Sequence, residues 1–321
     1  MTTLLLSHPV MIEHSPPEGH PERPDRLRMV ERILATPPFD DLLREEAPLA
    51  SAEQITCAHA EDYYHRIEQA APDEGFEQLD PDTWMSPKSF EAALRGAGAA
   101  VRAVDAVMRR EAENAFCATR PPGHHAETRR AMGFCLFNNA AVAAYHAREV
   151  YDAERIAVVD FDVHHGNGTQ EIFWSDQGLF YGSTHQMPLY PGSGAPTERG
   201  VGNIFNAPLR AGDGSHEFRD AMKTRILPAL DDFAPDLLII SAGFDAHKRD
   251  PLGSLELTEE DYVWATLYLM DEAHRHADGR VVSVLEGGYD LKALASSLAV
   301  HVQALMRGSG SGSVPQLEDD V

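Results

Sequence analysis

The stretch RIAVVDFDVHHGNGTQ (155–170) joins an apolar run to a cluster of acidic and imidazole side chains. The run at 155–161 is rich in β-branched residues, which is typical of a strand covered on both faces of a sheet. From residue 160 onward come two aspartates, two adjacent histidines and two glycines. Such side chains rarely gather by chance where a buried strand ends. The stretch therefore indicates a parallel sheet and a chemical site at its edge.

The rest of the chain continues this alternation of strand and helix. Strands are predicted at 114–119, 155–161, 178–184, 236–243 and 280–288, with the N-terminal segment as a first strand, and helices at 86–110, 138–151, 216–233 and 258–276. This order predicts a three-layer α/β fold, in which a doubly wound, mostly parallel sheet lies between helices. Residues 1–306 are predicted to form one domain, and the Gly/Ser-rich segment 307–321 a flexible acidic tail.

Polar clusters follow four of these strands. They are RPPGHHAE after the strand at 114–119, DFDVHHGNG after 155–161, GFDAHKRDP after 236–243 and EGGYD after 280–288. Ligands of open parallel sheets bind outside the carboxyl ends of the strands. We therefore expect the four clusters to form one pocket.

Asp162 and His164 are the first candidates for metal ligands. Residues at i and i+2 on extended backbone point to the same side. A catalytic zinc needs about three protein ligands and an open position, and Asp245 is the natural third. Asp245 alone could equally be a helix cap. Two carboxylates and one imidazole suit Zn²⁺, and also Fe²⁺ or Co²⁺. His165 is predicted to point the other way and to be structural.

His124 and His125 follow a Pro-Pro-Gly turn and are candidates for acid–base catalysis. One of them could take a proton from a metal-bound water, and either could protonate a departing amine. Such histidines need partners that set their tautomer and basicity. Asp160 is the predicted partner of His124. Asn167 is the predicted partner of His125, and as a neutral amide it would leave that imidazole less basic.

Tyr289 and three further residues complete the candidate pocket. The Tyr289 hydroxyl could donate a hydrogen bond to an oxyanion opposite the metal, although a packed loop tyrosine is the simpler interpretation of this residue alone. Gly133, Phe134 and Tyr190 could form an apolar slot for the stem of a lysine-like side chain. Phe134 could equally belong to the core.

Taken together, these motifs resemble the zinc-dependent histone deacetylase family and its arginase–deacetylase fold. The resemblance runs from HPERPDR (20–26) to LEGGYD (285–290), and its specific motifs are RPPGHHA, GFCLFNNAAVAA, DFDVHHGNGTQ, SAGFDAH and DPLG. Asn167 and the glutamate in LEGGYD resemble the class II branch and its bacterial relatives. Those relatives include histone deacetylase-like amidohydrolases, acetylpolyamine amidohydrolases and acetoin-utilisation proteins.

The resemblance implies roles for individual residues. Asp162, His164 and Asp245 would bind Zn²⁺, with Fe²⁺ as an alternative in the cell. His124 and His125 would be the general base and acid, Tyr289 would polarise the acetyl carbonyl, and Arg26 matches an arginine below the active site. The family also binds structural K⁺. The implied sites are a first one at Asp160, Asp162, His164, Ser183 and Thr184, and a second one through backbone carbonyls at Phe173, Asp176 and Leu179.

Three other functions are alternatives to an acyl-lysine deacetylase. Ureohydrolases of the same fold use two Mn²⁺ ions, but the carboxylates of a second metal are replaced here by Gly166 and His247. A non-catalytic module that binds acetylated partners would not need every catalytic position filled. An acetylpolyamine amidohydrolase is the closer alternative. The polyamine-selective animal enzyme carries glutamate where this chain has Leu252, which favours acyl-lysine.

Composition limits which cellular compartment and which partners are expected for the protein. The 321 residues carry 27 basic and 51 acidic side chains, a net charge of −24, which disfavours nucleic acid. This charge either attracts cationic substrates or only keeps the protein soluble. The three cysteines form no CxxC pair, and neither a signal peptide nor a membrane span is evident. A cytoplasmic protein is therefore expected, acting on an acetylated lysine peptide, protein or small amine. Its oligomeric state is left open, because the 76–90 loop could line an entrance, an oligomer interface or the core.

Overall fold

The computed structural model describes residues 1–308. Of the tail predicted at 307–321, Arg307 instead ends the last helix, and residues 309–321 lie outside these described residues. The strands are β1 Thr3–Ser7, β2 Leu43–Glu46, β3 Glu77–Asp80, β4 Thr83–Met85, β5 Asn114–Cys117, β6 Ile156–Asp160, β7 Leu179–Gln186, β8 Ile204–Leu209, β9 Leu237–Ala242 and β10 Val281–Leu285. The helices are α1 Val10–Glu13, α2 Pro24–Leu34, α3 Ala52–Thr56, α4 Glu61–Ala70, α5 Ser89–Met108, α6 Asn139–Tyr151, α7 Asn167–Phe173, α8 Ser215–Ala221, α9 Leu227–Phe233, α10 Glu259–His276 and α11 Leu291–Arg307.

Eight strands form one sheet in the order β2-β1-β5-β10-β9-β6-β7-β8, and every pairing in it is parallel. Every residue of the central strands β5, β10, β9 and β6 is buried, so helices cover both faces of the sheet. α5 and α6 pack on each other, as do α10 and α11. The predicted three-layer fold is confirmed. No helix among residues 1–308 is long and apolar enough to cross a membrane.

The predicted elements lie within a few residues of the observed ones, except in two places. The helix predicted at 216–233 is divided into α8, a π-helical turn at Met222–Ile226 and α9. Pro228 explains the turn, because it has no N–H to continue the i→i−4 ladder and its ring clashes with the preceding turn.

The sequence patterns do not indicate β2 and β8, the two strands at the edges of the sheet. Polar residues in β2 and Pro208 in β8 give weak strand signals, and such residues are typical of sheet edges.

Candidate active site

The four predicted polar clusters follow β5, β10, β9 and β6, which are consecutive neighbours in the sheet. All four strands run in the same direction, so their carboxyl ends meet at one edge. The separate sequence clusters therefore come together in one place. This is the edge at which ligands of open parallel sheets bind.

Asp162, His164 and Asp245 form a buried triad at this edge, with one ligand atom of each lying within 4.8 Å of the others. The Nδ1 atom of His164 lies 3.1 Å from Asp162 Oδ1 and 3.1 Å from Asp245 Oδ2. The three donors thus converge on one point. Two carboxylates and one imidazole are ligands that a divalent metal ion takes in proteins.

The backbone holds the two carboxylates of this triad in place. Val163 N donates to Asp245 Oδ1 at 2.8 Å, and Gly287 N donates to Asp162 Oδ2 at 2.8 Å. A side chain at position 287 would collide with both carboxylates, so the close approach requires glycine. Burial, together with the negative charge of Asp162, raises the pKa of Asp245 to about 7. A divalent cation between the carboxylates would offset both effects, so the triad fits a metal.

His124 and His125 lie beside the triad with their rings 4.1 Å apart. His124 Nδ1 lies 3.0 Å from Asp160 Oδ2, and His125 Nδ1 lies 2.8 Å from Asn167 Oδ1. The structure thus places each histidine beside the partner that the sequence suggested. Within residues 1–308 no hydrogen bond reaches the Nε2 atom of either ring. Both Nε2 atoms are therefore free to exchange a proton with a substrate or water.

The different surroundings shift the pKa values of the two histidines in opposite directions. Burial lowers the pKa of His124, but the charges of Asp160 and Asp162 outweigh burial and hold this pKa well above its usual value. Burial holds the pKa of His125 well below its usual value, and the charges of His124 and His164 lower it further. One ring of the pair thus favours the protonated form and the other the neutral form, as an acid and a base require.

Tyr289 and two aromatic residues line the rest of the pocket. The Tyr289 ring lies 5.8 Å from that of Phe134, and burial raises the pKa of its phenol well above the usual value. Its hydroxyl therefore stays protonated and able to donate. The Tyr190 ring stands edge-on to His125 at 5.2 Å. Phe134 and Tyr190 thus flank the histidines and Tyr289, and Phe134 is not a core residue.

A tight turn at Gly133 and Phe134 shapes the aromatic wall. Both residues have positive φ angles, 55° and 69°, and a side chain at position 133 would collide with the His125 ring. The hairpin of β3 and β4 supports this turn. Asp82 Oδ1 accepts from Gly133 N at 3.0 Å, and Thr83 Oγ1 accepts from Phe134 N at 3.0 Å. The 76–90 loop therefore supports the pocket wall, a role that sequence analysis did not assign to these two residues.

The two implied K⁺ sites differ in their geometry. At the first, the buried Thr184 hydroxyl has no hydrogen-bond partner among the described residues, which leaves an oxygen for a cation. Ser183 Oγ lies 2.8 Å from His185 Nδ1. At the second, the carbonyls of Phe173, Asp176 and Leu179 converge, but Asn203 Nδ2 donates to them at 2.9, 3.0 and 2.6 Å. A K⁺ ion there would have to displace the Asn203 amide.

The remaining predicted residues lie around the pocket. The guanidinium of Arg26 lies 4.9 Å from the centre of the Tyr289 ring and donates to Gly288 O at 2.6 Å. His165 faces away from the triad, with Ser193 Oγ 2.8 Å from its Nδ1 and Gln170 Oε1 3.0 Å from its Nε2. Leu252 is partly buried, and its N–H donates to Asp250 Oδ1 at 3.0 Å.

Two buried carboxylates next to the site were missed as functional candidates. Glu286 accepts from the backbone before and at His124, and Asp250 accepts from the backbone of Tyr289. Glu286 appeared in the sequence only as a mark of the class II branch. Its position directly after a buried strand, like that of Asp160 and Asp162, was the signal that could have singled it out.

The fold brings a candidate metal site, two neighbouring histidines and a tyrosine phenol together at the carboxyl edge of a parallel sheet. The model of the histone deacetylase domain matches residues 20–305. The chain belongs to this family, and the family makes it a metal-dependent deacetylase or amidohydrolase.

Individual relatives agree with this assignment. A probable deacetylase of Archaeoglobus fulgidus is 37% identical over 99% of this chain and 90% of its own length. A histone deacetylase-like amidohydrolase of Pseudomonas aeruginosa is 41% identical over 84% of this chain and 73% of its own length. The crystal structure of the HDA15 HD domain superimposes with a TM-score of 0.91 at 35% identity, over 98% of this chain and 90% of that one.

Proposed function

We propose that this protein is a zinc-dependent deacetylase that hydrolyses the acetamide of a lysine-like amine and releases acetate and the free amine. The observation that carries this proposal is the convergence of the triad, the free Nε2 atoms of His124 and His125, and the Tyr289 phenol at one edge of the sheet. Each group has a separate task in amide hydrolysis.

Asp162, His164 and Asp245 would hold the metal, which when bound supplies Lewis acidity and lowers the pKa of a coordinated water. The histidine pair takes the proton from the attacking water and returns a proton to the departing amine nitrogen. The Tyr289 hydroxyl donates a hydrogen bond to the acetyl oxygen, where negative charge develops. Phe134 and Tyr190 enclose the methylene stem of the substrate and exclude water. Structural K⁺ is proposed at the Thr184 site, beside the triad.

Acyl-lysine, in a peptide or as a small molecule, is the proposed substrate class. Leu252 provides no charge for a distant ammonium group of a polyamine, which supports this choice. The net charge of −24 attracts both kinds of cation. Acetyl-lysine peptide, acetylated polyamines and longer acyl-lysines therefore belong in one side-by-side assay.

The test is turnover of a fluorogenic acetyl-lysine peptide before chelation, after chelation and after Zn²⁺ is added back. We expect chelation to abolish turnover and Zn²⁺ to restore it. Asp245→Ala should lose the metal, with zinc content near zero after dialysis. Full zinc occupancy in this variant would refute the ligand assignment. If no acetylamide were turned over in a chelator-sensitive way, the proposed enzymatic activity would be refuted.

A further inference from the structure

Glu286 is a fully buried carboxylate at the carboxyl end of β10, and it holds the loop that carries the histidine pair. Its Oε2 atom accepts from Gly123 N at 2.7 Å and from His124 N at 3.1 Å. Its Oε1 atom accepts from Ser241 Oγ, at the end of β9, at 3.2 Å. Glu286 therefore ties together the ends of three neighbouring strands, β5, β10 and β9.

Asp250 makes the same kind of contact to the backbone of Tyr289. Its Oδ2 atom accepts from Tyr289 N at 2.6 Å and from Asp290 N at 3.2 Å, while Oδ1 accepts from Leu252 N. The side chain is only 7% exposed. Each carboxylate thus binds two consecutive backbone N–H groups, one pair at His124 and the other at Tyr289.

A buried carboxylate destabilises the fold unless hydrogen bonds compensate for its lost hydration. Glu286 and Asp250 each have three donors, and the two consecutive amides in each set fix the local orientation of the backbone. Neither carboxylate contacts a ring nitrogen of the histidine pair or the Tyr289 hydroxyl. Their hydrogen bonds to the catalytic residues therefore run through the backbone, and the negative charge of Glu286 also raises the pKa of His124.

We propose that Glu286 and Asp250 are positioning residues, which hold His124 and Tyr289 in place by accepting hydrogen bonds from their backbone N–H groups. The catalytic part of this inference rests on the proposed deacetylase function. Misplacement of a reacting group by about 1 Å can cost roughly 100-fold in rate. We therefore expect Glu286→Ala to lower kcat by roughly 10- to 100-fold, with KM changed less and zinc retained.

The conservative variant separates the hydrogen bonds from the charge. In Glu286→Gln the amide oxygen can accept from both N–H groups, and the amide nitrogen can donate to the Ser241 hydroxyl. This variant should recover most of the lost kcat. At position 250 the outcome differs, because an Asn that accepts from Tyr289 N turns its own NH₂ group towards Leu252 N. Asp250→Asn should therefore recover only part of the kcat that Asp250→Ala loses.

Asp236 provides a matched control at the opposite edge of the sheet. It directly precedes β9, and its Oδ2 atom accepts from the consecutive Glu154 N and Arg155 N groups at 3.0 and 2.9 Å. Asp236→Ala removes the same type of contact far from the triad. It should reduce stability but leave kcat and KM unchanged.

The experiment measures kcat, KM, zinc content and amide hydrogen exchange for Glu286→Ala, Glu286→Gln, Asp250→Ala and Asp236→Ala. Exchange should accelerate at 120–126 only in Glu286→Ala, at 286–290 in Asp250→Ala, and at 153–156 in Asp236→Ala. Wild-type kcat in both Glu286→Ala and Asp250→Ala would overturn the proposal, as would a Glu286→Gln variant as slow as Glu286→Ala. An inactive wild type with these same exchange patterns would instead refute the deacetylase function and leave the backbone contacts established.

Discussion

The histidine pair His124 and His125 and the single His301 are all buried but differ in their hydrogen bonds. His124 and His125 each use Nδ1 in a hydrogen bond and leave Nε2 free. His301, on α11, uses both ring nitrogens, with Thr266 Oγ1 2.6 Å from Nδ1 and Ser283 Oγ 2.8 Å from Nε2. Burial without a carboxylate partner lowers the pKa of His301 to about 3.

The surroundings of His301 explain why it is structural. Thr266 Oγ1 donates to Tyr262 O, so it accepts from His301 Nδ1–H, and Ser283 then donates to Nε2. Aromatic rings pack around the imidazole, including Phe116 at 5.7 Å and Phe244 at 5.7 Å. The comparison teaches that neither burial nor a shifted pKa marks a catalytic histidine here. The distinguishing feature is a ring nitrogen left free towards the metal ligands.

The largest expected effect is that of His125→Ala. Loss of the acid–base group should lower kcat by roughly 10²–10⁴, because Nε2 is the atom that exchanges the proton. Zinc content should stay close to that of the wild type, because His125 is not a ligand, and the melting temperature should fall less than in His301→Ala, because one hydrogen bond is lost and not two. Kinetics, metal analysis and melting curves check these three expectations. Loss of zinc would mean that His125 is a ligand and that the acid–base assignment is wrong.

His301→Ala should show the reverse pattern. Removing a buried ring and leaving two hydroxyls without their partner should lower the free energy of unfolding by about 3–5 kcal/mol. The kcat of the folded, zinc-loaded protein should stay within about twofold of the wild type, because additivity holds for sites without shared partners. Urea unfolding and steady-state kinetics check this. A large loss of kcat at wild-type stability would show that His301 has a role in catalysis and is not only structural.

The wild type and His301→Ala also test how stability depends on pH. His301 has a pKa of about 3 in the folded state and about 6.5 when unfolded, so below pH 6.5 the unfolded chain binds a proton that the folded chain does not. The contribution of neutral His301 to the free energy of unfolding is therefore complete above pH 6.5 and is lost as the pH falls towards 3. The stability difference between wild type and His301→Ala should therefore shrink by about 1.4 kcal/mol per pH unit over this range. A difference that does not change with pH would show that His301 is not held neutral.

Two tyrosines extend the comparison. Tyr181 is fully buried, and its hydroxyl donates to Asp160 Oδ2 at 2.9 Å and accepts from Gly166 N at 2.9 Å. The Tyr289 hydroxyl has no hydrogen-bond partner among the described residues. Tyr289→Phe should lower kcat by roughly 10²–10³ with little change in stability, because the phenol donates only in the transition state. A wild-type kcat would remove that role from Tyr289.

The sequence alone was enough to predict the sheet and the convergence of four polar clusters, because period and residue type determine where buried strands end. It also suggested Asp160 and Asn167 as neighbours of the histidines. It could not show Glu286 and Asp250 as positioning residues, because their partners are backbone N–H groups of distant loops. The Asn203 amide between three carbonyls was missed for the same reason. Contacts to the backbone leave no pattern of residue types.

The smallest expected effect is that of a substitution at Leu252. This apolar side chain is partly exposed, in contrast to the buried histidines and tyrosines compared above. Leu252→Glu would add a negative charge that can attract the distant ammonium of acetylspermidine, whereas a neutral peptide backbone gains nothing. An exposed ion pair contributes roughly 0.2–1 kcal/mol, so the ratio of kcat/KM for acetylspermidine to that for acetyl-lysine peptide should rise by up to about fivefold. Leu252→Gln is the matched control without charge, and its ratio should stay at the wild-type value. An unchanged ratio in Leu252→Glu would show that this position does not select the substrate, and selectivity would then have to come from the shape of the entrance between Phe134 and Tyr190.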